Sequence, residues 1–413
     1  MPMSGDRRLP SRVGYLLGAA ILLTPFPALA AGDGDQGFAL RENALSVALP
    51  AVAGLPSNGA GVTDTRLRAW GTLDLTSAKL QAALEIHDTV STISGLGLLG
   101  ASSGPGTSAY EWVSLSAQST SSAVVVGARL DRFDLTGHWG PVDLDLGRQP
   151  ISLGTSHFVG VLDVLTPFAP GTLDSTYKPG VDAVRIRTAI ADQTEAEAIV
   201  VGADPWGQGA ALGRGRTSVA GIDLEAVVGR FRQRAIAGLG FEGGAGPLGI
   251  WGEAALFGRR PDVEQVRAGW SQAAFSGVAG IDWPAFYDFR LGTSVMYQDF
   301  GARRPEDLAA VRMDAPFQEG WVYLGSAGYG VVTLQRSLNP LWNLGVSGIV
   351  NLVDGSTLWQ PRLTYSVSDN ADLGVYAWGR TGAGSELTNG QVVVHSEFGS
   401  LPIGGGLYAR WFF

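Results

Sequence analysis

Apolar residues along this chain recur at every second position far more often than at every third or fourth. The stretch VSGIVNLVD places Val346, Gly348, Val350 and Leu352 on one face and Ser347, Ile349 and Asn351 on the other. In SVAGIDLEAVV, Ala220, Ile222, Leu224, Ala226 and Val228 oppose Asp223 and Glu225. In VDAVRIRTAI, Val184, Ile186 and Ile190 oppose Arg185 and Arg187, and in KLQAALEIHD, Leu80, Ala82, Leu84 and Ile86 oppose Gln81, Glu85 and His87. Successive side chains of a strand point to opposite faces, so this period predicts strands with one apolar and one mixed face. The reading gives about 16 strands (range 14–18): 63–76, 78–91, 122–136, 141–153, 181–191, 195–204, 217–229, 231–243, 246–258, 272–283, 286–299, 319–334, 340–353, 356–368, 371–382 and 403–413. Most match the ~9–11 residues that a tilted strand needs to cross a hydrocarbon layer.

A soluble sandwich would alternate in the same way, with its apolar faces turned inward. Three features favour a sheet with lipid outside. The strands are long and numerous for a sandwich. Their non-apolar faces are rich in Gly, Ser and Arg, as a lumen would be. Aromatic residues fall near strand ends, where a membrane-interface girdle would lie: Trp70, Trp251, Trp283, Phe286, Tyr287, Trp321, Tyr323, Trp342, Trp359, Trp378 and Trp411. Hydrocarbon offers no water to an open sheet edge, so the sheet must close on itself, the last strand pairing with the first. The expected fold is all-β, a closed antiparallel transmembrane β-barrel. Val350 and Leu224 are then assigned to lipid, Asn351 and Glu225 to the lumen, where an arginine at position 351 would be nearly silent.

The beginning of the chain agrees with this fold. Arg7, Arg8 and Arg12 precede an apolar run from 13 to 23, and Ala28, Leu29 and Ala30 form a small-residue cleavage site. This reads as a secretory signal over 1–30, cleaved near Ala30, with a core too short to span a bilayer as a helix. Residues 31–61 form a lead segment that could be flexible, a plug or a surplus strand, and 62–413 the barrel. No later run approaches 18 apolar residues, so helical membrane spans are not expected. Removing Asp6 and the three arginines from 38 acidic and 29 basic groups leaves 37 and 26, a net charge of −11. That acidity argues against a nucleic-acid partner. The chain has no cysteine, which excludes disulfides, thiolate chemistry and covalent haem attachment. No metal site or cofactor is expected.

The ending LYARWFF looks like the C-terminal strand of a Gram-negative outer-membrane barrel, in which a terminal aromatic on an alternating strand is the address read by the assembly machinery. Trp411 and Phe413 would carry that signal. The segment 129–187, with GRQPISLG, a DVLTP stretch and GVDAVRIR, resembles the porin-like outer-membrane barrels, the group that includes alginate-export-type channels. The closing hairpins 342–378 and 396–413 resemble the same group, so the likeness spans most of 63–413. It implies a barrel in the outer membrane and passive passage of small hydrophilic solutes, with outer-membrane lipids, lipopolysaccharide and the barrel assembly machinery as partners. It names no solute, and it leaves a monomer and a homo-oligomer both open.

One long loop is expected to fold into the lumen, the alternative being an external loop packed on a neighbouring protomer. About 28 residues follow Ile151, too many for a hairpin connection, and they include the apolar run Phe158, Val159, Val161, Leu162, Val164 and Leu165. Asp143 and Asp145 alternate with Val142, Leu144 and Leu146 and so point inward, and a bulge at Gly147 would turn Arg148 inward too. The candidate pore-lining residues are Asp143, Asp145, Arg148, Arg185, Arg187, Arg129, Asp223, Glu225, Arg232 and Arg234, the first five at the constriction with the loop. Both signs are present, and many of these groups would satisfy one another across strands. Two rival functions remain, a barrel without an open pore serving export, adhesion or scaffolding, and an outer-membrane hydrolase. The second is weak: His87, His138, His157 and His395 are the only histidines, and His87 and Asp88, adjacent on a strand, point to opposite faces. HExxH does not occur, and the single GxSxG match, GASSG at 100–104, lies in a Gly/Ser-rich run.

Removing Phe413, or placing a polar tag after it, should leave the protein unassembled in the periplasm. Unchanged heat-modifiable migration of both variants from outer-membrane fractions would refute the assignment.

Overall fold

The structure, a computed structural model, describes residues 36–48, 59–75, 77–91, 110–112, 116–120, 124–168, 177–203, 208–260, 273–284, 288–388 and 391–413. The expected signal segment 1–30 lies outside them. In chain order the strands are β1 Gln36–Ala48, β2 Gly59–Leu75, β3 Ala78–Ser91, β4 Ser116–Thr120, β5 Val124–Trp139, β6 Val142–Gln149 and β7 Val181–Ala191. They continue as β8 Thr194–Val201, β9 Ala210–Val219, β10 Ile222–Phe231, β11 Arg234–Ala245, β12 Leu248–Gly258, β13 Ala273–Pro284 and β14 Arg290–Gln298. The last are β15 Gly328–Asn339, β16 Trp342–Asn351, β17 Thr357–Ser368, β18 Ala371–Thr381, β19 Ser385–Thr388, β20 Gln391–Val394 and β21 Ile403–Phe412. Eighteen of them form one closed antiparallel ring, each paired with its neighbours in sequence. The short β4 lies beside the end of β5, and β19 and β20 make a separate hairpin. Two helices, α1 Leu308–Met313 and α2 Ala315–Gln318, sit in the connection before β15.

Ring closure runs through a strand that the sequence pattern leaves open. β21 pairs with β18 on one side and with β1 on the other, and β1 in turn pairs with β2. Among the described residues the barrel therefore includes a strand from Gln36, inside the segment 31–61. On the outer face of β1 Glu42 interrupts Phe38, Leu40 and Ala44, between inward Arg41 and Asn43, which is why it does not read as a spanning strand. The other addition is β9, AALGRGRTSV, whose outer positions Ala211, Gly213 and Gly215 are too small to register as an apolar face. These two raise the expected 16 to the observed 18. The expected strand 319–334 starts only at Gly328, because the residues before it fold as connection.

The two rims differ. On one, seven connections are two residues long (76–77, 140–141, 192–193, 220–221, 246–247, 340–341 and 369–370), and the outer ends of β1 and β21 meet there. The opposite rim carries the long connections 150–180, 299–327 and 382–402. Between the rims the outer surface is apolar: Leu224, Leu239, Phe241, Leu256, Val295 and Leu407 are all exposed, while Glu225, Arg214, Glu253 and Ser294 on the opposite faces are buried. That is the inverse of a soluble protein and fits hydrocarbon outside.

Glycine and aromatic residues pair across strands. A Cβ at Gly37, Gly280, Gly348 or Gly374 would come within 2.2–2.5 Å of the ring of Trp70, Trp251, Trp359 or Tyr408 respectively. The rings lie over bare backbone, burying area that a twisted, curved sheet would leave open. Several expected girdle residues do other work. Trp283, Trp342 and Trp359 face outward, but Trp251 and Trp321 are buried inside and Trp378 packs on the inner cluster. Phe286 and Tyr287 lie outside the described residues. Asn351 faces inward as expected, yet it is fully buried and its amide donates to Glu397 and Ser326, each at 2.8 Å, so an arginine there would not be silent.

Leu239 stands at mid-strand and is 66% exposed on the outer face. Leu239→Arg should lose ~2–4 kcal/mol of stability in vesicles, as a charge does near a bilayer midplane. Equilibrium unfolding against the parent in the same vesicles is the measurement, and a loss below 1 kcal/mol (roughly the interfacial value) would place this band outside the membrane.

Candidate functional site

β6 and β7 pair directly, yet 150–180 separate them. The first part of this connection turns into the barrel and lies on the inner faces of β10 to β13. Ile151, Leu153, Val161, Leu162, Val164 and Leu165 are buried in one cluster with Ile199, Leu212, Val227, Ile236 and Ala255 of the wall. Leu162 sits over Gly238, where a Cβ would be 2.2 Å from its Cδ2. Apolar burial thus drives the loop inward, as its composition suggests, while Phe158 and Val159 remain half-buried at its tip.

Polar contacts fix its position. The carboxylate of Glu253 accepts the backbone N–H groups of Thr155 and Ser156 (2.6 Å each), Val161 (2.7 Å) and Leu162 (3.1 Å). Glu225 accepts that of Gly154 at 2.8 Å. Gly154 has φ +91°, a conformation open mainly to glycine. His157 reaches Asp282 at 2.6 Å and Glu242 at 3.0 Å and packs on Trp251. Further on, Lys178 donates to Asp163 at 2.5 Å, tying the returning limb to the outgoing one. Burial pushes the Asp163 carboxyl up and the Lys178 ammonium down, and their mutual attraction opposes both shifts.

Two other connections enter the same rim. Trp321, from 299–327, packs edge-on against Phe231 and Phe300, and Tyr323 donates to Pro167 O at 3.2 Å. Glu397, from 382–402, accepts Tyr329 Oη at 2.5 Å and Gly325 N at 2.6 Å, and burial pushes its carboxyl up despite these donors.

Of the ten residues expected to line the pore, only Arg129 borders the cavity that remains. It belongs to a buried cluster in which Asp131 accepts Arg68 at 2.6 Å and Arg129 at 3.0 Å, with Glu85 alongside. Arg187 pairs with Asp145 at 2.9 Å and lies 3.7 Å from Asp143. Arg185 bonds Glu197, which Arg214 joins at 3.3 Å, and Arg214 reaches Glu225 at 2.8 Å. Arg148 holds Asp182 through two nitrogens, at 2.7 and 3.0 Å. Gly147, with φ +118°, turns the chain there without an inserted residue, and the register shift near it falls in β5 at Asp131 instead. Arg232 donates to Tyr110 Oη and Arg234 to Glu319, so both pin long connections at the rim. Asp223 is exposed beside the short turn 220–221. The five residues expected at the constriction all form ion pairs along the wall. The alternation does not reveal Arg214, because the outer face of β9 is too small to read as a strand, nor Asp131, because the bulge breaks the period.

The remaining cavity has a volume of about 2160 Å³ and two unlike sides. Phe158, Val159, Phe168, Trp321 and Leu324 form the side of the inserted segments. The rest of the lining carries Arg41, Arg66, Arg290, Arg336 and Arg362 together with Asp64, Glu85, Asp282 and Asp288, among Ser, Thr, Gln and Asn, with Arg41 and Arg66 on β1 and β2 across the ring from the inserted loop. Arg66, Arg41 and Arg410 are directly opposite one another on β2, β1 and β21. Asp64 pairs with Arg66 at 2.9 Å and Asp372 with Arg410 at 3.1 Å, and Arg41 stands in register between Arg66 and Arg410. Like charges in register repel, and a positive potential is the result.

No family model matches the sequence, and no curated protein matches it. Solved structures do. Acinetobacter baumannii OccAB1 aligns with a TM-score of 0.55 at 9% identity, over 92% of this chain and 96% of that one. Pseudomonas aeruginosa OccK11 (OpdR) gives 0.54 at 10%, over 94% and 99%, and P. aeruginosa OccK5 (OpdH) 0.53 at 9%, over 93% and 99%. The likeness is one of fold. It extends over nearly all of each chain.

Arg214 bridges two carboxylates, and all three side chains are at most 3% exposed. Arg214→Met should cost ~3–5 kcal/mol by leaving Glu197 and Glu225 buried without it. Arg216, half exposed on the same Glu225, should cost ~1 kcal/mol or less as Arg216→Ala. Equal losses in equilibrium unfolding would show that the bridge does not govern this part of the wall.

Proposed function

We propose that the protein is a passive channel of the Gram-negative outer membrane, a porin-like barrel for small hydrophilic solutes in which anions are favoured. The observation that carries this reading is the polar cavity left beside the inward loop, with arginines in register on its far wall. An apolar outer band, a closed ring and one rim of short turns support a place in the outer membrane, with the short turns toward the periplasm. The inward loop narrows the passage to the space between Phe158 and Val159 and the arginine wall, and solutes cross there. Hydrophilic solutes exchange water for Ser, Thr and Gln groups, and anions are drawn by a field that low-dielectric walls focus. Lipopolysaccharide and membrane lipids would cover the outer band, and the assembly machinery would read the strand ending in Phe413.

The rival is a barrel without an open pore. Its support is that three connections, 150–168, 299–327 and the segment around Glu397, all enter from one rim. Purified protein in planar bilayers separates the two. The channel reading expects discrete conductance steps, and properly assembled barrels that carry no current, even with residues 156–160 deleted, would defeat it.

Charge preference is a separate expectation. Arg41→Gln with Arg362→Gln should move the reversal potential across a salt gradient toward cations without loss of assembly. The shift should fade in concentrated salt, where screening shortens to ~3 Å at 1 M. An unchanged reversal potential would remove the arginine wall from the permeation path.

A further inference from the structure

Glu253 occupies the inner face at the middle of β12, 4% exposed. Among the described residues it forms no ion pair. The donors facing its two oxygens are peptide groups: Thr155 and Ser156 on Oε1, Val161 and Leu162 on Oε2. The first pair lies on the limb of the loop that enters the barrel and the second on the limb that leaves. One side chain therefore draws both limbs together, and Phe158 and Val159 at the tip between them face the cavity. Four donors exhaust the lone-pair sites of a carboxylate, and a neutral amide offers half as many. Successive N–H groups arranged in this way form an anion-binding concavity, here filled by the wall itself.

The wall beneath is shaped for the same contact. Gly238 and Gly240 of β11 present bare backbone to Leu162, and a Cβ at Gly240 would lie 3.5 Å from its Cδ1. The Thr155 hydroxyl donates to Phe241 O at 3.3 Å. Glu225 has a lesser share, since it gives one oxygen to Gly154 while Arg214 and Arg216 hold the other.

We infer that Glu253 is the positioning residue that fixes the aperture, holding 154–162 against the wall so that the passage has one width. This rests on the channel reading above. Without the carboxylate the four peptide N–H groups would lose their acceptor beside the water-filled lumen, and the loop would open toward it.

The chain has no cysteine, which gives a clean test. Glu253→Ala in assembled barrels should roughly double the single-channel conductance and add switching between levels. A Cβ at Gly240 would be 3.5 Å from Thr155 Cγ2, so Thr155→Cys with Gly240→Cys can form a disulfide across loop and wall. Oxidation of that pair in the Glu253→Ala background should restore the parent conductance, and reduction should abolish the rescue. A lesser structural role would not be rescued by relocking. If Glu253→Ala does not assemble, Glu253→Gln carries the comparison, with an intermediate rise. A parent barrel that carries no current defeats the channel reading alone, and the latch is then judged by thiol labelling. Leu162→Cys, buried in the parent, should react roughly tenfold faster with a methanethiosulfonate reagent once Glu253→Gln is added, as local opening exposes it. Parent-like conductance in Glu253→Ala, or parent-like labelling with Glu253→Gln, overturns the inference.

Discussion

Closure of the backbone hydrogen-bond ring is the constraint on which everything else depends. A sheet with an apolar outer face has nowhere to place an open edge, so β21 must find β1 and β18 at once. Closure turns the alternation of each strand into an inside and an outside. Small and apolar residues outside tolerate lipid without further arrangement. Inside, every second residue of eighteen strands converges on one lumen, and there the charged groups must find partners at close range.

Most of them do so within the wall. Glu197, Arg214 and Glu225 form a chain of opposite charges across β8, β9 and β10, and Arg68, Asp131 and Arg129 form another across β2 and β5. Breaking such a buried set is costlier than forming it is rewarding, so these groups specify register more than they add stability. The arginines of β1, β2 and β21 differ, because in-register guanidinium groups outnumber the acids beside them. One side of the lumen is therefore self-neutralised and covered by a loop, and the other keeps a field. A narrow passage between an apolar tip and a charged wall follows from that asymmetry.

The inserted connections solve a packing problem of the same kind. A ring this wide cannot fill its interior with wall side chains alone. Leu162, Trp321 and Phe398 bring apolar bulk from three connections, and glycines in the wall make room for it. Carboxylates then meet uncharged donors at the contact points, Glu253 four peptide N–H groups of the first connection, and Glu397 of the third the Tyr329 hydroxyl, the Asn351 amide and the Gly325 N–H.

The sequence by itself determined the class of fold, because period-2 alternation is local and each strand states its own two faces. It also favoured an inward turn of the connection after Ile151, since its apolar run needed shelter from water, but a neighbouring protomer would have sheltered it too. It did not determine the ring size. β1 and β9 lack a continuous apolar face, and only pairing with their neighbours makes them strands. Nor could it separate Arg129, which borders the cavity, from Arg185 or Arg148, which do not, because alternation assigns a side and not a partner. Trp251 and Trp321 read as interface residues for the same reason, and their burial depends on strands and connections far away in the chain. The partner of the Glu253 carboxylate is a loop about a hundred residues earlier. Long-range register brings them together, and no local pattern encodes it.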